Sequence, residues 1–212
     1  MIRLRGVDLD DLDPSGLRRL APDLGLHRSD LFVLAGRRPV PADLRPLDPA
    51  ASGAIGWLAW SLTYLPSAVP ELHDLIRSLP QEPRPPDAAP PRRWQYPDGP
   101  GAVLVGLLHN RNLDWSGAAK FLFGVGHGPM LSASTIGMLG GGRKPLTPDL
   151  LAAFATFLDI PPADLSEATG ISWPGNPPPS RPDVAALLWD ARRLTAAQAE
   201  QILARARALR RS

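Results

Sequence analysis

Sliding residues 2–36 forward by 134 positions, without a gap, lays "DPSGLRRLAPDLGLHRSDLFVLAG" over "TPDLLAAFATFLDIPPADLSEATG". Ten identities result: Ile2/Ile136, Gly6/Gly140, Leu12/Leu146, Pro14/Pro148, Leu17/Leu151, Ala21/Ala155, Leu24/Leu158, Asp30/Asp164, Leu31/Leu165 and Gly36/Gly170. After a looser join the register returns at an offset of 129, with Leu58/Leu187, Trp60/Trp189, Leu65/Leu194 and Ala68/Ala197. Any fold for this chain must therefore seat one structural unit twice. Between the copies, eight of the 21 residues from Pro80 to Pro100 are proline, the composition of a linker. The expected organisation is a first unit with its tail over 1–80, a proline-rich linker over 81–100, a complete unit over 101–175 and a second tail over 176–212. The second copy carries a front portion, 101–134, that has no counterpart in the first. The first copy is thus expected to be the rear half of the unit, through truncation, a late start or degeneration.

Apolar spacing of three and four runs through the complete copy, and strand-like alternation does not. Val103, Leu104, Leu107 and Leu108 mark one helix face that ends near Asn110 to Asn112. Asp114 or Trp115 opens a second helix through "SGAAKFLF", stopped by the glycines of "GVGHGP". Ser132 is a natural N-cap for a third, "ASTIGML", which Gly140 to Gly142 end. Thr147 caps a fourth with Pro148 at its first position, and 161–168 make a short fifth. Two further helices follow, "PDVAALLWDARRL" and "TAAQAEQILARARAL", with capping-box spacing between Thr195 and Gln198. The first copy has the same appendix in "SGAIGWLAWSLTYL" and "SAVPELHDLIRSL". The fold class predicted is all-α: tandem helical bundles, each followed by a helical hairpin. Trp57, Trp60 and Trp189 are expected in the core. Ala199, Ile202, Leu203, Ala206 and Leu209 line one face of the last helix, a run too short for a sustained dimer seam and better suited to packing on its own domain.

Composition removes several functions. Cysteine is absent, so no disulfide framework or cysteine-ligated zinc site exists. The four histidines are dispersed, and His73 beside Asp74 lacks a nearby nucleophile or third ligand. No grouping of acid, base and nucleophile is evident, so neither an enzyme nor a metal or cofactor is expected. The most apolar run, 54–65, is far below the ~20 residues a membrane helix needs, and a cytoplasmic location is expected. Charge is uneven under a net of +2: residues 1–80 hold nine Arg against ten Asp and Glu, while in 101–146 only Asp114 opposes Arg111, Lys120, Arg143 and Lys144. An anionic partner belongs at that second segment.

The stretches "LDWSGAAKFLFGV", "LSASTIGMLGGGRK" and "TPDLLAAFATFLDIPPADL" together resemble the XRE, or phage-repressor-like, helix-turn-helix family of DNA-binding proteins. The resemblance covers about residues 101–170 in full and 2–36 as the rear half. It implies a transcriptional regulator on double-stranded DNA whose third helix enters the major groove, with Ser132, Ala133, Ser134, Thr135, Gly137 and Met138 on or near the exposed face. Arg143 and Lys144 just past that helix, Arg111 and Lys120 on its flanks, and Trp115 at the opening of helix two are the implied phosphate-side residues. Trp115 stands where the family usually has glutamine, and the turn between helices two and three is longer by about six residues, "GHGPML". Serine and threonine hydroxyls can meet almost any base, so modest specificity is expected, supplemented by a homodimer, DNA shape or a protein partner. The alternative is a degenerate helix-turn-helix scaffold that serves as a protein-interaction adaptor. Arg192, Arg193 and the C-terminal arginines are expected on a solvated face that could extend a phosphate-binding strip.

Overall fold

Side-chain caps set the starts of several helices. In the computed structural model, which describes residues 2–83, 96–173, 175 and 179–211, Asp13, Asp114, Ser132, Thr147 and Thr195 each turn a side-chain oxygen onto a backbone N–H in the first turn of a helix. The helices are α1 (Pro14–Asp23), α2 (Arg28–Leu34), α3 (Ser52–Tyr64), α4 (Val69–Ser78), α5 (Pro100–Asn110), α6 (Trp115–Gly124), α7 (Ala133–Gly140), α8 (Pro148–Leu158), α9 (Pro162–Thr169), α10 (Pro182–Ala191) and α11 (Ala196–Leu209). Thr195 and Gln198 form the reciprocal capping box at the start of α11. Most of the proline-rich segment expected as a linker lies outside the described residues.

The class is all-α, with one small departure. Arg3–Leu4 (β1) and Val7–Asp8 (β2) pair antiparallel across a tight turn at Arg5 and Gly6. Both turn residues have positive φ, 49° and 82°, the backbone that two-residue hairpin turns require. At the repeat offset this hairpin stands where the second copy has the end of α7 and its glycine turn. Helical spacing in the second copy thus did not carry over to its counterpart.

Behind that point the copies correspond closely. Helices α1 and α8 both begin with proline after a capped turn, and α2 matches α9. Gly25 and Asp159 both take left-handed backbone, φ 61° and 53°, as do Gly36 and Gly170, φ 65° and 68°. Asp30 and Asp164 are both buried.

In place of two bundles standing apart, the copies interlock around one continuous apolar core. Helix α5 of the second copy packs between α2 and α9, α3 of the first copy lies along α6 of the second, and the α3–α4 hairpin packs on the α10–α11 hairpin. The α3–α6 crossing is close because neither helix has a side chain there: a Cβ on Gly56 would sit 2.6 Å from the Gly117 Cα. Each copy also holds the other's buried aspartate. Arg111, at the end of α5, grips Asp30 through Nη1 and Nη2, both at 3.0 Å. Arg5 of the β1–β2 turn grips Asp164 through Nε at 2.9 Å and Nη2 at 2.6 Å.

Candidate nucleic-acid interface

The residues predicted to meet DNA divide into a surface group and a buried group. Helix α7 contacts α5 and α6 on its inner side. Ser132 and Ser134 are exposed, and Ala133 and Met138 are half-buried. Ser132 Oγ accepts the Thr135 N–H at 3.2 Å and lies 2.8 Å from Ser134 Oγ, so a small hydroxyl cluster marks the N-terminal end of the helix. Gly142, with φ 67°, turns the chain out of α7, and exposed Arg143 and half-buried Lys144 follow. Neither makes an ion pair among the described residues.

Four of the predicted residues are elsewhere. Arg111 is 1% exposed, locked on Asp30 and donating to the Leu158 carbonyl at 2.6 Å, so it has no surface to offer a phosphate. Thr135 and Gly137 face inward. Gly137 is needed there because a Cβ would stand 3.0 Å from the Trp115 ring, and Trp115 is itself packed against the core behind α7. Trp115 is thus half-buried and packed behind α7 rather than standing free at the opening of α6. Lys120 holds an intermediate place: half-buried, its ammonium donates to Ser116 Oγ at 2.8 Å and lies 4.2 Å from the centre of the Trp57 ring. Burial pushes its pKa below the ordinary lysine range, partly offset by Asp114.

Other cations are structural as well. Arg192 donates to the carbonyls of Asn110, at 2.6 Å, and Leu44, while Arg193 donates to those of Ile76 and Leu79. These side chains close the C-terminal ends of α5 and α4, so the expected extension of a phosphate-binding strip to Arg192 and Arg193 does not occur. The apolar face of α11 is buried against α3 and α4. His73 meets Asp190 of α10 at 2.8 Å and not the adjacent Asp74. A cavity of about 260 Å³ is lined by Gly25, His27, Asp159 and Trp189 among others, and none of its lining comes from α7.

Sequence reasoning missed two surface features. Trp57, expected in the core, is 49% exposed, and Tyr64 on the same side of α3 is 62% exposed. With half-buried Trp60 and Phe123, whose rings meet edge to face at 6.1 Å, they form an aromatic ridge beside α6. The spacing of Trp57, Trp60 and Tyr64 at three and four was visible in the sequence, but a helix with apolar residues on every side gives no sign of which face is left open. Met130, before α7, is 70% exposed. No helix among the described residues is long and apolar enough to cross a membrane. Comparison with protein-family models, with curated proteins and with solved structures finds no match to this chain.

Proposed function

We propose that the chain is a DNA-binding transcriptional regulator of the XRE-like kind, with α7 in the major groove of double-stranded DNA. One observation carries the reading: among the described residues, the hydroxyls of Ser132 and Ser134 are exposed at the N-terminal end of α7, and Arg143 and Lys144, just past its C-terminal end, make no ion pair. The C-terminal helices α10 and α11 pack chiefly on α3 and α4. In this reading the hydroxyls touch base edges while Arg143, Lys144 and Lys120 bind phosphate, which favours affinity over sequence choice. The test is a titration of labelled duplex DNA at two salt concentrations with the native chain and the Arg143→Ala/Lys144→Ala double variant. Native affinity falls as salt rises, and the double variant lowers the log–log slope by up to about 1.8, the share of two phosphates. Equal slopes, or no native binding at any salt, overturn the reading.

A second reading, a helix-turn-helix scaffold acting as an adaptor for a protein partner, draws on the exposed Trp57 and Tyr64. Aromatic side chains of this kind are enriched at protein interfaces. It predicts loss of partner binding on Trp57→Ser and Tyr64→Ser with no DNA binding to lose.

A further inference from the structure

The long turn between α6 and α7 is held in place. Gly126 packs so closely that a Cβ would lie 2.5 Å from the Ala153 carbonyl oxygen, and one on Gly128 would lie 2.9 Å from Ala153 Cβ and Leu122 Cγ. The Gly128 N–H donates to the Leu122 carbonyl at 2.9 Å, and Leu131 packs against the core. Met130 sits between these two anchors, two residues ahead of the Ser132 cap, with 70% of its surface in solvent. The turn therefore presents one long apolar side chain at a defined place, beside the end of the helix that groove-binding helices direct at base edges. The hydroxyls of Ser132 and Ser134 beside it distinguish bases poorly. The feature of the major groove that an apolar side chain reads is the C5 methyl of thymine.

Resting on the DNA-binding reading above, we infer that Met130 is a specificity-determining residue that packs on a thymine methyl next to the position occupied by the N-terminal end of α7. It supplies discrimination that the short polar side chains of the helix do not.

Duplexes enriched by the full chain from a random pool provide the site. Each thymidine of that site is then replaced in turn by deoxyuridine, which removes the methyl alone, and affinities are measured for the native chain and for Met130→Ala. The native chain loses about fourfold at one or two positions, the worth of one buried methyl. Met130→Ala shows no loss at those positions and keeps the native salt slope. Native binding that is salt-dependent yet indifferent to every deoxyuridine, or a Met130→Ala chain that keeps the native sensitivity, overturns the role of Met130 and leaves the DNA-binding reading standing. Absence of native binding at any salt overturns both.

Discussion

The two copies share a rear half and differ in front. Helices α1 and α8 have the same proline start, α2 and α9 follow the same left-handed turn, and an aspartate is buried at the same point of each. In front of this shared portion the second copy has α5, α6 and α7, whereas the first has the β1–β2 hairpin. What the copies retain in common is what seats each in the joint core. On the proposed reading, α7 is the helix offered to DNA, and residues 2–36 support it from within the joint core.

The aspartate pairs test that asymmetry most severely. Asp30 and Arg111 are both buried, whereas Arg5, the partner of Asp164, is 41% exposed at its side chain. Arg111→Ala leaves an uncompensated carboxylate in the core and should cost about 3–5 kcal/mol in urea unfolding. Arg5→Ala should cost less, about 1 kcal/mol, because the Arg5 side of the pair is open to water. Equal losses would mean the two halves support each other symmetrically.

A pH series examines α5, the helix between α2 and α9. Burial, with Arg45 and Arg192 nearby, holds the His109 imidazole at a pKa of about 4, below its ordinary 6.5. The group is neutral in the fold and protonates first in the unfolded chain. Its contribution is therefore full above pH 6.5 and is lost as pH falls towards 4, roughly 3 kcal/mol over that window. His109→Gln should show a flatter stability profile between those pH values than the native chain, and an unchanged slope would contradict the burial of this face of α5.

Much of this organisation was legible in local sequence. The caps at Asp114, Ser132, Thr147 and Thr195 and the glycines after α7 depend on neighbours within a few positions, and the structure has them as read. What escaped depends on distant partners. Arg111 counted as a surface cation because Asp30 is 81 residues away. The close approach of Gly56 and Gly117 carries no local signal, because it exists only where α3 and α6 cross. Trp57 was assigned to the core since its exposure is decided by where α6 lies, and the Arg5–Gly6 turn went unread behind the helical pattern of its second-copy counterpart. For the candidate interface, Ser132, Ser134, Arg143 and Lys144 were placed by the family resemblance, whereas the burial of Gly137 goes with the Trp115 ring packed against it.

Caps provide the smaller comparisons. Asp13→Ala and Thr147→Ala, at matching places in the two copies, should each cost about 1 kcal/mol. A difference above about 1 kcal/mol between them would show that the rear halves are not equivalent. Ser132→Ala should cost a similar amount, while Ser134→Ala, exposed and accepting no backbone N–H of the cap, should leave stability within about 0.5 kcal/mol of native. Ser134→Ala is thus the cleaner variant for binding measurements.

Because the chain has no cysteine, a single introduced thiol is unique. Ser134→Cys on α7 and Arg3→Cys on the β1–β2 hairpin place that thiol on the two regions that differ between the copies. Each can be offered a duplex carrying a disulfide-activated tether on its bases, under conditions of salt-sensitive binding. Ser134→Cys should be trapped on the duplex and Arg3→Cys should not; equal trapping of both, or trapping through Arg3→Cys alone, would contradict the assignment of α7 as the face that meets DNA.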